Sequence, residues 1–143
     1  MLETIRDAWS WVGLNPAEIV YTNLFGNLIV KDAGEIFWRI CPEELTCRKI
    51  ATDFNKFTKL WRDENFQFDW NMAKMVEMAE KKLGLLQKDE CYCFKLSPVV
   101  GGNYDAENLA KISLKELIVF SGDFAQQIKD IPDGGQIEIK FVK

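Results

Sequence analysis

The sequence predicts an α+β fold, a largely antiparallel sheet with helices packed on it, and three observations predict it. Residues 25–40, "FGNLIVKDAGEIFWRI", are two β-rich runs around a turn sequence, the signature of a hairpin. From Asp53 to Leu83 the apolar residues recur at helical spacing instead. The closing "IPDGGQIEIKFVK" is a Pro-Asp-Gly-Gly turn feeding an alternating strand. At 143 residues, with no repeat, linker or low-complexity stretch, the expectation is one domain over 1–143, in about two layers.

Taken in order, Leu2, Ile5, Trp9 and Val12 recur at helical spacing and Gly13 follows as a C-terminal cap, so residues 2–12 read as an amphipathic helix. "NPAE" reads as a second helix start, with Asn15 as N-cap, Pro16 at the first helical position and Glu18 at the capping-box position. After the hairpin, "TCRKIA" adds a third strand beyond "CPEEL". In the helical stretch Phe54, Phe57 and Leu60 or Trp61 mark one apolar face, and Met72, Met75, Val76 and Ala79 the next, with Gly84 ending it. "CYCFKL" and "NLAKIS" are strands. "SLKELIVFSGDFAQQIKD" is a helix capped by Ser113 with Glu116 three residues on, and Gly122 is a point where it bends or weakens.

Composition narrows the chemistry. The hydrophobic fraction of 48% with 28% charged residues is that of a chain that folds, far from the composition of disordered segments. Acids outnumber bases 22 to 18, a net charge of −4, which argues against direct binding of nucleic acid, where clustered Lys and Arg meet phosphates. The start "MLETIRDAWSWVGL" interrupts its apolar residues with Glu3, Arg6 and Asp7, and no segment approaches the ~20 apolar residues of a membrane span. The expected location is cytoplasmic, with no membrane partner.

The chain contains no histidine, which removes Ser-His and Cys-His nucleophile pairs and every His-containing metal site. A carboxylate pair remains open to it, against the simpler reading of solvated surface acids. The four cysteines occur as C-x5-C at Cys41 and Cys47 and C-x-C at Cys91 and Cys93, neither of which has the knuckle spacing of a four-thiolate zinc site. Buried core thiols are the expectation, with no metal and no cofactor. Of Trp9, Trp11, Trp38, Trp61 and Trp70 most are assigned to the core; Trp11, two residues from Trp9, is expected on a different face of the same helix.

"SPVVGGNYDAEN" follows neither of the glycine-rich phosphate-loop patterns, and Asp105 and Glu107 stand where an anion needs positive partners. It reads as a turn requiring positive φ at Gly101 or Gly102, and also as a recognition loop in which Asn103, Tyr104 and Asp105 meet a partner. Acidic contact candidates are Asp32 and Glu35 in the hairpin turn and Asp105 and Glu107 beside the glycine pair.

"KKLGLLQKDECYCFKLSPVVGG" followed by "ENLAKISLKELI" resembles the domain of unknown function that forms the C-terminal part of the Tdi immunity proteins of bacterial type VI secretion systems. The resemblance is carried by Leu83, Gly84, Leu86, Asp89, Glu90, Tyr92, Phe94, Gly101, Gly102, Asn108 and Leu109. Upstream, Phe25, Gly26 and Leu28 are similar to a hairpin of the GAD-like relatives, so that the likeness spans approximately residues 20–130. It implies a non-enzymatic protein that binds and neutralises a cognate effector toxin, a DNase in the Tde/Tdi pairs. This chain is shorter than the two-part relatives, with little of the GAD-like region before "NLFG". A housekeeping or regulatory interaction module of the same fold is the alternative.

Overall fold

The computed structural model describes residues 1–131. The turn and strand expected in "IPDGGQIEIKFVK" fall on residues 132–143, which lie outside the described residues.

The fold is α+β, with two antiparallel sheets. Helix α1 (Leu2–Trp9) leads into a 3-10 turn at Ser10–Val12, which Gly13 ends with φ +97°. Strands β1 (Pro16–Thr22), β2 (Leu28–Asp32), β3 (Phe37–Cys41) and β4 (Thr46–Ala51) form a four-stranded meander in sequence order. Helices α2 (Phe54–Trp61), α3 (Glu64–Asn71) and α4 (Ala73–Leu83) follow. Strands β5 (Glu90–Phe94) and β6 (Leu109–Ser113) pair into a separate two-stranded sheet, and α5 (Leu114–Ile128) closes the described chain.

The expected helix at "NPAE" is instead β1. Ile19 pairs with Val30 and Glu18 with Lys31, so the β-branched and aromatic run after Pro16 joins the sheet edge, where Pro is tolerated at the first strand residue. The hairpin and its third strand form as expected, in the registers Val30 to Trp38 and Ile40 to Cys47.

The four-stranded sheet is covered on both faces, not one, because its alternation sends apolar side chains both ways. Leu28, Val30, Trp38 and Ile40 pack with Ile5 and Trp9 of α1 and Ile118 of α5. Ile29, Phe37 and Ala51 pack with Phe57 of α2 and Trp70 of α3. A third cluster joins Phe25, Ala79 of α4, Tyr92 and Leu109 under the small sheet.

The helical stretch divides into three helices. Asp53 and Asp63 cap the first two, accepting from the Lys56 and Phe66 amides. Met72, in the left-handed region at φ +47°, separates α3 from α4. Phe54, expected on the buried face, is exposed, one residue beyond the cap and outside the stripe that Phe57 buries. Ser113 caps α5 by accepting from the Glu116 amide. Gly122 lies inside an unbroken α5, where a Cβ would stand 2.4 Å from the Ala8 carbonyl oxygen; its smallness lets α1 and α5 pack closely.

Trp11 does not take a separate face. The chain tightens into the 3-10 turn after Trp9, so the two rings stack at 5.7 Å and Trp11 Nε1 donates to the Ala8 carbonyl.

Candidate functional site

A polar network runs from the centre of the large sheet to its surface. Asn27, fully buried, donates from Nδ2 to Glu43 Oε1 and Oε2, at 3.1 and 2.8 Å. Its Oδ1 accepts from Arg39 Nε and Nη2, at 3.1 and 2.9 Å. Arg39 Nη1 pairs with Asp69 of α3, and the guanidinium lies over the rings of Trp70 and Phe66. One amide thereby serves both a cation and a carboxylate, which keeps their burial from leaving unpaired groups.

Glu43 belongs to the 3-10 turn Pro42–Glu44 between β3 and β4. Burial pushes its carboxyl above the usual carboxylate range, against the opposing pull of its hydrogen bonds and of the Arg39 charge. Its backbone oxygen accepts from Ser97 Oγ at 2.7 Å, so the same turn anchors the start of the long β5–β6 loop.

That loop is built from local hydrogen bonds. Asn108 donates from Nδ2 to the Leu96 and Asn103 carbonyls and accepts the Leu96 amide on Oδ1, closing the loop on itself. Gly101 has φ +102°, the positive φ expected of the pair. Gly102 is required for a different reason: a Cβ there would stand 1.8 Å from the Leu96 oxygen. Asn103 Oδ1 accepts the Asp105 amide, so it is partly spent on the loop. Tyr104 stands edge-on to Phe94 at 5.6 Å and is 62% exposed; Asp105 and Glu107 are exposed beside it.

Two hollows flank the loop. One, ≈ 340 Å³, is floored by the small sheet through Cys93, Ala110 and Ile112 and walled by Leu45, Val100 and Phe124. The other, ≈ 430 Å³, is lined by Arg39, Glu44 and Asp69 together with Met72, Val99 and Tyr104. Glu43 and Phe94 line both.

The remaining acidic candidates sit elsewhere. Asp32 is occupied in holding the hairpin turn, its carboxylate accepting from the Gly34 and Ile36 amides and from Trp38 Nε1. Glu35, exposed at φ +63°, borders a third hollow with Phe54 that shares no lining residue with the one beside Tyr104. The structure therefore gathers Gly101, Gly102, Asn103, Tyr104, Asp105 and Glu107 on one loop and leaves Asp32 and Glu35 apart from them.

The thiols follow burial. Cys47 and Cys91 are pushed up to about 12, Cys93 to about 11, and Cys41 higher still, with desolvation as the leading cause in each. Among the described residues no group of three or more Cys, Asp or Glu side chains is placed to hold a metal ion.

The family described as T6SS immunity protein Tdi1, C-terminal, matches residues 51–125, more than half of the chain. The chain belongs to this family. The matched segment runs from the last residue of β4 into α5, so it contains the whole flanked loop and Asp69. Asn27, Arg39 and Glu43, which brace that loop from the large sheet, lie before it, as does the hairpin of Phe25, Gly26 and Leu28. No curated protein matches the chain.

Asn27, Glu43 and Ser97 were not visible as site residues in the sequence. The one signal was Asn27 itself, a polar residue inside the apolar run "FGNLIV". No helix among the described residues is long and apolar enough to cross a membrane.

Proposed function

We propose that this chain is a non-catalytic immunity protein that binds a cognate effector toxin of a type VI secretion system, a DNase on the family resemblance, and silences it in the cytoplasm of the producing cell. The observation that carries this is the family match over residues 51–125. The geometry is in keeping with binding rather than chemistry. Glu43 is tied to Asn27 and Asp69 to Arg39, and the thiols are held protonated.

The contact surface is the loop from Gly101 to Glu107, with Tyr104 as its exposed aromatic and Asp105 and Glu107 as its acids. Asp32 is spent on its own turn, which leaves Glu35 as the acid of that turn available to a partner. The net charge of −4 favours a basic protein over nucleic acid.

Growth of bacteria expressing the proposed effector tests the proposal. Co-expression of the chain restores growth if it is the immunity protein; cells that die equally with and without it contradict the assignment.

A further inference from the structure

The β5–β6 loop is a ridge between two hollows of opposite character. On one side Val100 lines a hollow whose surface is mainly apolar, with Glu43, Lys95 and Lys111 also among its lining residues and Phe120 of α5, 54% exposed, at its margin. On the other side Val99, also 54% exposed, and Tyr104 face a hollow whose charged residues are Arg39, Glu43, Glu44 and Asp69. Arg39 is already paired there with Asn27 and Asp69 and lies over two aromatic rings, and with its side chain only 13% exposed it offers little to an incoming anion. Glu44 is exposed, and Asp69 meets Arg39 through Oδ2 while its side chain stays 65% exposed. The second hollow thus combines the carboxylates of Glu44 and Asp69 with the side chains of Met72, Val99 and Tyr104. That combination suits the charged head and aliphatic stem of a Lys or Arg.

We propose that the ridge is straddled by a protein partner that places a large apolar side chain in the hollow beside Phe120 and a basic side chain in the hollow between Glu44 and Tyr104. Charge complementarity selects the basic residue, and the apolar hollow of ≈ 340 Å³ has room for a Leu, Phe or Trp side chain. The two anchors lie on either side of one loop closed by its own hydrogen bonds, so the pair sets the orientation of the partner as well as its affinity. The inference rests on the immunity assignment only for who supplies the anchors, namely the effector.

Two-dimensional NMR of the full chain tests the hollows without any effector. The probes are N-acetyl-arginine methylamide, its uncharged isostere N-acetyl-citrulline methylamide, and N-acetyl-phenylalanine methylamide. The arginine probe should shift the Val99 and Tyr104 amides saturably and the citrulline probe should not; the phenylalanine probe should shift Ala110 and Ile112. Glu44→Lys should abolish the first response alone and Phe120→Glu the second alone, with melts of both variants close to the parent because both residues are exposed. Equal responses to arginine and citrulline, or an empty hollow, overturn the proposal. So does a wild-type dimer that Phe120→Glu converts to monomer, because a second copy then fills the apolar hollow.

The effector supplies the second arm. Its titration onto the wild-type chain tests immunity, and its titration onto the two variants tests the ridge, each of which should weaken binding by about tenfold or more. Tight binding unchanged in both variants overturns the ridge and leaves immunity standing.

Discussion

Asn27 and Glu43 are sixteen residues apart in the chain, yet the Asn27 amide reaches both oxygens of the Glu43 carboxylate, at 3.1 and 2.8 Å. This pair links the inside of the large sheet to the turn to which the β5–β6 loop is tied, because the Glu43 backbone also receives the Ser97 hydroxyl. The start of the β5–β6 loop is therefore tied to residues outside the segment that the family match covers.

Asn27→Ala removes the donor of Glu43 and the acceptor of Arg39 at once. Leaving two charged groups short of partners in a buried setting should cost about 2–4 kcal/mol, read as a lower urea midpoint at unchanged slope. A loss within experimental error of zero would mean that the network contributes nothing to the fold.

Glu43 and Asp32 should respond to pH in opposite directions. Glu43 is raised by burial, so the folded state holds its proton more tightly than the unfolded chain. Its contribution is present below the unfolded carboxylate pKa and is lost as pH rises through the folded one. Asp32 is also raised by burial, but hydrogen bonds from Trp38, Ile36 and Gly34 and the charge of Lys49 outweigh that and hold it below the usual range. Its contribution is present above the unfolded pKa and is lost as pH falls through the folded one. Denaturant midpoints measured across acidic pH should show the falling component vanish in Glu43→Gln and the rising one in Asp32→Asn.

The glycine pair should not behave as a pair. Gly101→Ala places a Cβ in open space at φ +102°, a backbone strain of roughly 1–2 kcal/mol. Gly102→Ala drives a Cβ into the Leu96 oxygen at 1.8 Å and requires the loop to move. Thermal melts should fall further for Gly102→Ala, and the Leu96 and Asn108 amide resonances should shift in that variant.

The thiols should be inert in the folded protein. Reaction with a thiolate-selective disulfide reagent at neutral pH should be slow at Cys93, the one that is only partly buried, and negligible at Cys41, Cys47 and Cys91. All four should react once denaturant is added. Rapid modification of Cys41 in the native state would contradict its burial.

The sequence was most informative where one local pattern decided the outcome. The hairpin around "KDAG", the strand "TCRKIA" and the Ser113 cap all formed as their residues require. "NPAE" misled because Asn15, Pro16 and Glu18 imitate a helix start, whereas pairing with Val30 and Lys31 rewards the β-rich run that follows. The break at Met72 left no mark, since a left-handed methionine has no sequence signature and is held by tertiary contacts such as the Asn23 amide on the Trp70 carbonyl. At the site, the glycine turn could be read from "SPVVGGNYD", but the Asn27 and Glu43 contact could not. It exists only because the β3–β4 turn folds a distant carboxylate back over β2.

With a DNase as the proposed partner, the most direct test is DNA cleavage. The purified effector is mixed with increasing amounts of the purified chain, and plasmid degradation is followed. Cleavage that falls in proportion to added chain and stops near equimolar addition is the predicted result. Cleavage that continues unchanged in the presence of excess chain, with no complex formed, would contradict the account.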